Sequence, residues 1–249
     1  MLPPIVDRFV AGESADGAVS HVRVLDEAGV GAIVNHLGEH SDDPADARAD
    51  TEAYLRLLER LPAADLPATI SVKPSQLGVD EDAFRDNFDR IVEVAAETGT
   101  FVWIDMEDHT TTDATIRAYE ALADADGGGV GVCLQANLRR TSDDVARLAD
   151  TSGSIRLVKG AYDDSAELAH RDGAAVDAAY CDVLRQLFAE TTVGIAVATH
   201  DHEMIDRALE LGGKTPSSSP RRPTSTSRCR RPSSRRSRRP ASAVSPPSA

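Results

Sequence analysis

The sequence predicts an α/β chain folded as a (β/α)8 barrel, with about six of its βα units present. Three observations predict it. Short apolar runs alternate with longer amphipathic ones from residue 32 to 211, the pattern of parallel strands joined by crossover helices. The short runs are continuously apolar, as strands covered on both faces are. Polar residues gather just after most of these runs, at the strand ends where barrel enzymes build their sites.

The first strand is expected at 32–34, followed by a helix at 45–61 with Tyr54, Leu55, Leu57, Leu58 and Leu61 as its apolar residues. The second strand is expected at 69–72. A helix over 81–97 repeats Phe84, Phe88, Ile91, Val92 and Ala95 at steps of three and four, with Asp80 as N-cap and Gly99 just past its end. Strand three, 101–104, leads to a helix at 112–123. Strand four, 130–134, leads to a helix at 142–149 for which Ser142 is the expected N-cap. Strand five, 155–158, precedes a helix at 172–190. Strand six, 194–198, precedes one at 202–211 that Gly212 is expected to end.

A closed barrel of this kind needs eight units. The count stops at six because the composition changes at Gly212-Gly213. Residues 214–249 are rich in Ser, Pro and Arg and hold almost nothing apolar, so they cannot form a core. The chain therefore divides into an incomplete barrel, 1–213, and a basic disordered tail, 214–249. A frameshift in GC-rich coding sequence is the favoured origin of the tail. A genuine linker, or a tail that binds nucleic acid or an acidic partner, are the alternatives. An open barrel leaves its first and sixth strands unpaired at their edges, so the chain is expected to fold poorly.

The formal charge of −14 hides two unlike parts. Residues 1–213 carry 17 Lys and Arg against all 41 Asp and Glu, a net of −24, while 214–249 carry ten cations and no acid. An acidic, lysine-poor body is the composition of a protein kept soluble in high salt, and it argues against nucleic-acid binding by that body. No run of eighteen apolar residues could span a membrane, and no leader-like segment opens the sequence, so a cytoplasmic location is expected. Cys133, Cys181 and Cys229 are too few and too scattered for a disulfide framework or a zinc site.

Lysine usage is the sharpest local signal. Up to Gly213 the chain uses arginine fifteen times and lysine twice, at Lys73 and Lys159, each following an apolar strand-like run. The strand ends read Lys73-Pro74-Ser75-Gln76, Asp105-Met106-Glu107-Asp108, Gln135-Ala136-Asn137, Lys159-Gly160-Ala161-Tyr162 and Thr199-His200-Asp201-His202, with Arg156 inside the fifth strand. A lysine in such a position could form a Schiff base, as in barrel lyases, or hold a cofactor phosphate as a point charge. The residues alone leave both open. His200 and His202 bracket a carboxylate, but no further His/Cys cluster supports a metal. The glycine-rich run at 127–131 precedes a strand instead of joining a strand to a helix, so it reads as a turn and not a phosphate loop.

Several segments together resemble the proline dehydrogenase family. They are Arg8-Phe9-Val10-Ala11-Gly12-Glu13, Leu37-Gly38-Glu39, Ser71-Val72-Lys73 with Gln76-Leu77-Gly78, Ile104-Asp105-Met106-Glu107-Asp108, Leu134-Gln135-Ala136, the run from Arg156 to Tyr162, and Ala198-Thr199-His200-Asp201. They occur in the family's order. The resemblance implies a distorted barrel of the proline dehydrogenase type that holds FAD non-covalently. L-proline would give a hydride from C5 to flavin N5 and become Δ1-pyrroline-5-carboxylate. Electrons would then pass to a quinone, with peripheral contact at the inner face of the membrane. By motif, Asp105 and Arg156 are the implied catalytic residues and Lys73 contacts the substrate. Met106, Gln135, Arg156, Val158, Lys159, Gly160, Ala161, Thr199 and His200 are implied to line the FAD.

The sequence departs from the family pattern in four ways. Asn137 stands where an aromatic is usual, Pro74 where Leu is usual, and Asp163-Asp164 is unusually acidic. The family's Phe-Glu-Phe-Gln strand and its Tyr-x-x-Arg-Arg helix, whose paired arginines grip the substrate carboxylate, have no counterpart. Weak turnover, or none, is therefore expected.

Overall fold

The computed structural model describes residues 10–12, 14–38, 41, 43–78, 80–124 and 129–214. The tail from residue 215 onward lies outside the described residues, as do Arg8, Phe9, Glu13, Glu39, Gly127 and Gly128. Six parallel strands form one sheet in chain order: β1 (Ala32–Asn35), β2 (Ala68–Val72), β3 (Val102–Ile104), β4 (Val130–Gln135), β5 (Ser154–Val158) and β6 (Gly194–Val197). The sheet curls into part of a (β/α)8 barrel. All six expected strands are present, with ends within a residue or two of the expected ones.

The helices are α1 (Ala15–Glu27), α2 (Pro44–Ala63), α3 (Pro74–Leu77), α4 (Glu81–Thr98), α5 (Thr112–Ala123), α6 (Thr141–Arg147), α7 (Gly173–Glu190) and α8 (His202–Lys214). Their apolar stripes build the core against the sheet. Tyr54, Leu58 and Leu61 of α2, Phe88 and Ile91 of α4, and Tyr180, Leu184 and Leu187 of α7 are fully buried with Ile70, Ile104, Val132 and Leu157 of the strands. Each such large side chain is worth about 1.5–3 kcal/mol of burial.

Strand register builds the barrel interior. Ser71 pairs with Trp103, Trp103 with Gly131, Gly131 with Ser154 and Ser154 with Gly194, so these residues share the inner face. Cys133, Arg156 and Ala196 are paired two residues further along. The indole of Trp103 lies across this face because Gly131 leaves room for it: a Cβ there would fall 2.5 Å from the ring.

Burial on both faces holds for β3 and β4, whose residues are all buried. It fails for β1, β5 and β6. In β5, Ile155 and Leu157 are buried while Ser154, Arg156 and Val158 are half-buried. Among the described residues β1 pairs only with β2 and β6 only with β5, so nothing closes over the inner faces of these strands. Ile33 of β1 is accordingly 51% exposed.

Four local features differ from expectation. Helix α1 was not expected. Ser14 caps it by accepting from the Gly17 amide at 3.2 Å, and Ala18 and Val22 are its buried residues. The short α3 starts on Pro74, a residue suited to the first helical position. Ser142 is not an N-cap, since α6 begins at Thr141. Its hydroxyl instead donates to Gln186 of α7 at 2.8 Å. Gly212 does not end α8, which continues to Lys214. By contrast Asp80 caps α4, accepting from the Ala83 amide at 2.8 Å, and Gly99 ends it at φ 68°.

Candidate active site at the strand ends

Arg156 is the centre of an inner-face network. Its guanidinium pairs with the Asp105 carboxylate, donates to Ser71 Oγ at 3.0 Å and lies 5.0 Å from the centroid of the Trp103 ring. Asp105 also accepts from Ser71 Oγ at 2.7 Å and from Asn35 Nδ2 at 3.3 Å. The two charges are mostly removed from water, with side chains 11% and 24% exposed. Such a pair is costly to desolvate and is retained where its partners are numerous and well aimed. Arg156 Nε is buried and has no protein partner. Burial pushes the neighbouring Cys133 thiol up, with Arg156 opposing that shift.

Lys73 follows β2 directly and is half-buried at the level of Asp105, since Val72 pairs with Ile104 and the Asp105 amide donates to Val72 O at 2.8 Å. Its neighbour Ser75 donates to Glu107 from its amide at 2.8 Å and from its hydroxyl at 2.7 Å. Glu107 is only 2% exposed and so fastens the loop after β3 onto α3. Gln135 spends its amide on two loops, donating to Glu107 O at 2.7 Å and accepting from the Ala161 amide at 3.2 Å.

A cleft of about 300 Å³ opens over these strand ends. Met106, Gln135, Val158, Lys159, Gly160, Ala161 and Thr199 line it, joined by Tyr162 and Ala198. Seven residues expected at one site thus meet from the ends of β3, β4, β5 and β6. Arg156 does not line the cleft but lies two residues before Val158 on the same strand face. His200 is exposed and outside the lining, and the half-buried Lys73 and Asp105 also lie outside it. Gly160 is at φ 113°, and a Cβ on it would fall 1.9 Å from Asn137 Oδ1, so backbone and packing both require glycine. A larger hollow of about 700 Å³ between α1, β1 and α2 contains none of the expected site residues.

Lys159 is paired twice, with Asp177 at 2.5 Å and Asp201 at 2.7 Å. The two hydrogen-bonded carboxylates hold its ammonium well above the ordinary lysine range, Asp177 contributing most. A Schiff base needs the neutral amine, so this environment disfavours one at Lys159. The same contact, chiefly, keeps Asp201 below its ordinary value. Among the described residues no group of three His, Cys, Asp or Glu side chains is arranged to hold a metal, and His200 and His202 do not form one.

Sequence reasoning missed Ser71, Asn35 and Trp103 as partners of the Arg156–Asp105 pair, and Asp177 and Asp201 as partners of Lys159. Their inner-face parity with Arg156 was the available signal for Ser71 and Trp103. Nothing in the sequence marks Asp177 among so many helix carboxylates.

The sequence profile of the family "Proline dehydrogenase" matches residues 18–222. The Proline dehydrogenase of Deinococcus radiodurans is 37% identical over 210 residues, covering 81% of this chain and 67% of that protein. Proline dehydrogenase 1 of Bacillus subtilis (strain 168) is 30% identical over 207 residues, covering 82% of this chain and 68% of that protein. Among solved structures, proline utilization A from Bdellovibrio bacteriovorus inactivated by N-propargylglycine superposes with a TM-score of 0.75 at 21% identity, over 82% of this chain and 26% of that one. A Bradyrhizobium japonicum Proline Utilization A variant gives 0.68 at 24%, over 84% and 25%. The chain thus spans about two thirds of the curated relatives and about a quarter of the structural ones. With a family match over most of its length and ordered identity to two such enzymes, the chain belongs to the proline dehydrogenase family.

Proposed function

We propose that this chain carries the flavin side of an active site that oxidises L-proline to Δ1-pyrroline-5-carboxylate. The observation that supports this most is the convergence of Met106, Gln135, Val158, Gly160, Ala161 and Thr199 on one cleft beside the Arg156–Asp105 pair. In that cleft bound FAD would supply the acceptor for a hydride from substrate C5 and a route for the electrons to a quinone. The residues suit such a group. Glycine at 160 allows close backbone approach, and the unpartnered Nε of Arg156 leaves one donor to spare for an acceptor atom or for charge on a reduced ring. A cleft of about 300 Å³ is at the small end for ligand sites, so its size matches one part of a dinucleotide and not the whole.

Each of the chain's own groups then has a role. Arg156 stabilises negative charge that develops on the cofactor, a charge-assisted contact worth about 1.5–3 kcal/mol. Asp105, with Ser71 and Asn35, fixes the guanidinium in place. Lys73 pairs with the substrate carboxylate as a point charge, which gives less grip than a bidentate arginine pair. High KM and slow turnover follow. The acidic body suits a cytosol rich in salt. No helix among the described residues is long and apolar enough to cross a membrane, so the quinone would be met by peripheral contact.

The test is anaerobic reduction of FAD-loaded chain by L-proline, followed at the flavin absorbance. Alanine at Lys73 or Arg156 should slow reduction more than alanine at Tyr162. Equal losses at all three, or no reduction under any condition, would count against these roles.

A further inference from the structure

We infer that Lys159 is a positioning residue that clamps the two walls of the cleft together through Asp177 and Asp201, and that it does not serve as the ammonium that neutralises a cofactor phosphate. The inference rests on the flavin reading of the same cleft. Lys159 directly follows β5 and is fixed to the loop after β4, because its carbonyl accepts from the Asn137 amide at 2.9 Å. Its ammonium reaches Asp201 in the turn after β6 and Asp177 in α7. Asp201 is itself fixed on both sides. Its amide donates to Thr199 Oγ1 at 3.1 Å, and its second carboxylate oxygen accepts from the Glu203 amide at 2.9 Å. One ammonium therefore ties the Gly160–Ala161 wall to the Thr199 wall and both to α7.

Charge balance points the same way. Two carboxylates face one cation, so the cluster carries a net negative charge and would repel an incoming phosphate unless Lys159 abandoned both partners. Helix α7 packs on β5 and α8, so the clamp also joins two layers that among the described residues have no seventh strand beside them.

Three variants separate clamp from phosphate contact: Lys159→Met, Asp177→Asn and Asp201→Asn. The probes are FAD and riboflavin, titrated by fluorescence quenching. A clamp predicts that all three weaken both flavins by a similar factor, about three- to tenfold for half-exposed pairs. It also predicts that Lys159→Met combined with Asp177→Asn is no worse than Lys159→Met alone, and that Lys159→Arg restores binding. A phosphate contact predicts opposite signs. Asp177→Asn would then free the ammonium and hold or raise FAD affinity, and Lys159→Met would spare riboflavin; that pattern overturns the inference.

Amide hydrogen exchange in flavin-free chain gives an independent readout. Lys159→Met should speed exchange at Ala161 and Asp201 together while leaving α4 unchanged, and Lys159→Arg should reverse it. Unchanged exchange at both amides overturns the clamp even where no flavin binds. A wild-type chain that takes up neither flavin, yet shows the coupled exchange, refutes the flavin reading and leaves the clamp supported.

Discussion

Substituting Gly160 by alanine tests the geometry of the cleft floor. Two separate penalties apply. A non-glycine residue at φ 113° carries backbone strain of about 1–3 kcal/mol. The new methyl would also meet the Asn137 amide group, with Oδ1 at 1.9 Å, Cγ at 2.3 Å and Nδ2 at 2.8 Å. Asn137 is only 7% exposed and cannot swing freely, so overpacking adds about 1–3 kcal/mol. Together the loss is about 2–6 kcal/mol, or roughly 5–20 °C in Tm for a chain of this size. The assay is urea and thermal unfolding followed by circular dichroism. The three nearest atoms all belong to the Asn137 amide, so Asn137→Ala in the Gly160→Ala background should recover the packing share, about 1–3 kcal/mol, and leave the backbone share. Gly160→Ala within about 0.5 kcal/mol of the parent would show that neither φ nor Asn137 demands glycine there, and a double variant no better than the single would show that Asn137 does not.

Tyr54→Phe removes a buried hydroxyl that donates toward Ser71 O at 3.0 Å and Gln76 at 3.2 Å and accepts from the His36 amide. It should cost about 1–3 kcal/mol in urea unfolding, and a neutral effect would show that these bonds do not hold α2 to the end of β2. The Lys159 clamp has a pH signature. Lys159 is raised above its ordinary 10.5, so its share of stability is complete below that value and is lost as pH rises through the raised one. Asp201 is lowered from 3.8, so its share is present above 3.8 and is lost as pH falls through the lowered value. The stability gap between parent and Lys159→Met should be flat from about pH 5 to 9 and shrink outside it; a gap that changes steadily within this range would contradict the pairing. A body with 17 cations against 41 acids in residues 1–213 should gain Tm between 0.1 and about 2 M KCl as self-repulsion is screened. A lower Tm at high salt would argue against electrostatic strain.

The strands were legible because their signal is local: six apolar runs bounded by turns, with polar residues at one end. The helices with strong three-and-four repeats, such as α4 with Phe84, Phe88 and Ile91, were legible for the same reason. Helix α1 was not, because Gly17, Val19, Val22 and Val24 weaken its helical preference, leaving Ser14 and Asp16 as the only start signals. Ser142 misled because it follows Thr141, whose hydroxyl is drawn to Gln135 O at 2.5 Å and starts the helix one residue earlier. The cleft lining was legible through family motifs, since most of its members follow strands directly. The partners were not. Arg156 and Ser71 are 85 residues apart, and Lys159 and Asp201 are 42 apart. Only the register of the sheet and the seating of α7 bring them together. The half-buried state of β5 also escaped the sequence, because an apolar run looks the same whether its inner face is covered or open.

The most direct test of the central claim is titration of the purified 249-residue chain with FAD, read by quenching and by flavin retained through gel filtration. Saturable, one-to-one binding is expected, weakened by Arg156→Met and Gly160→Ala and left intact by excess proline. A chain with folded far-UV dichroism and no saturable FAD binding would contradict that claim.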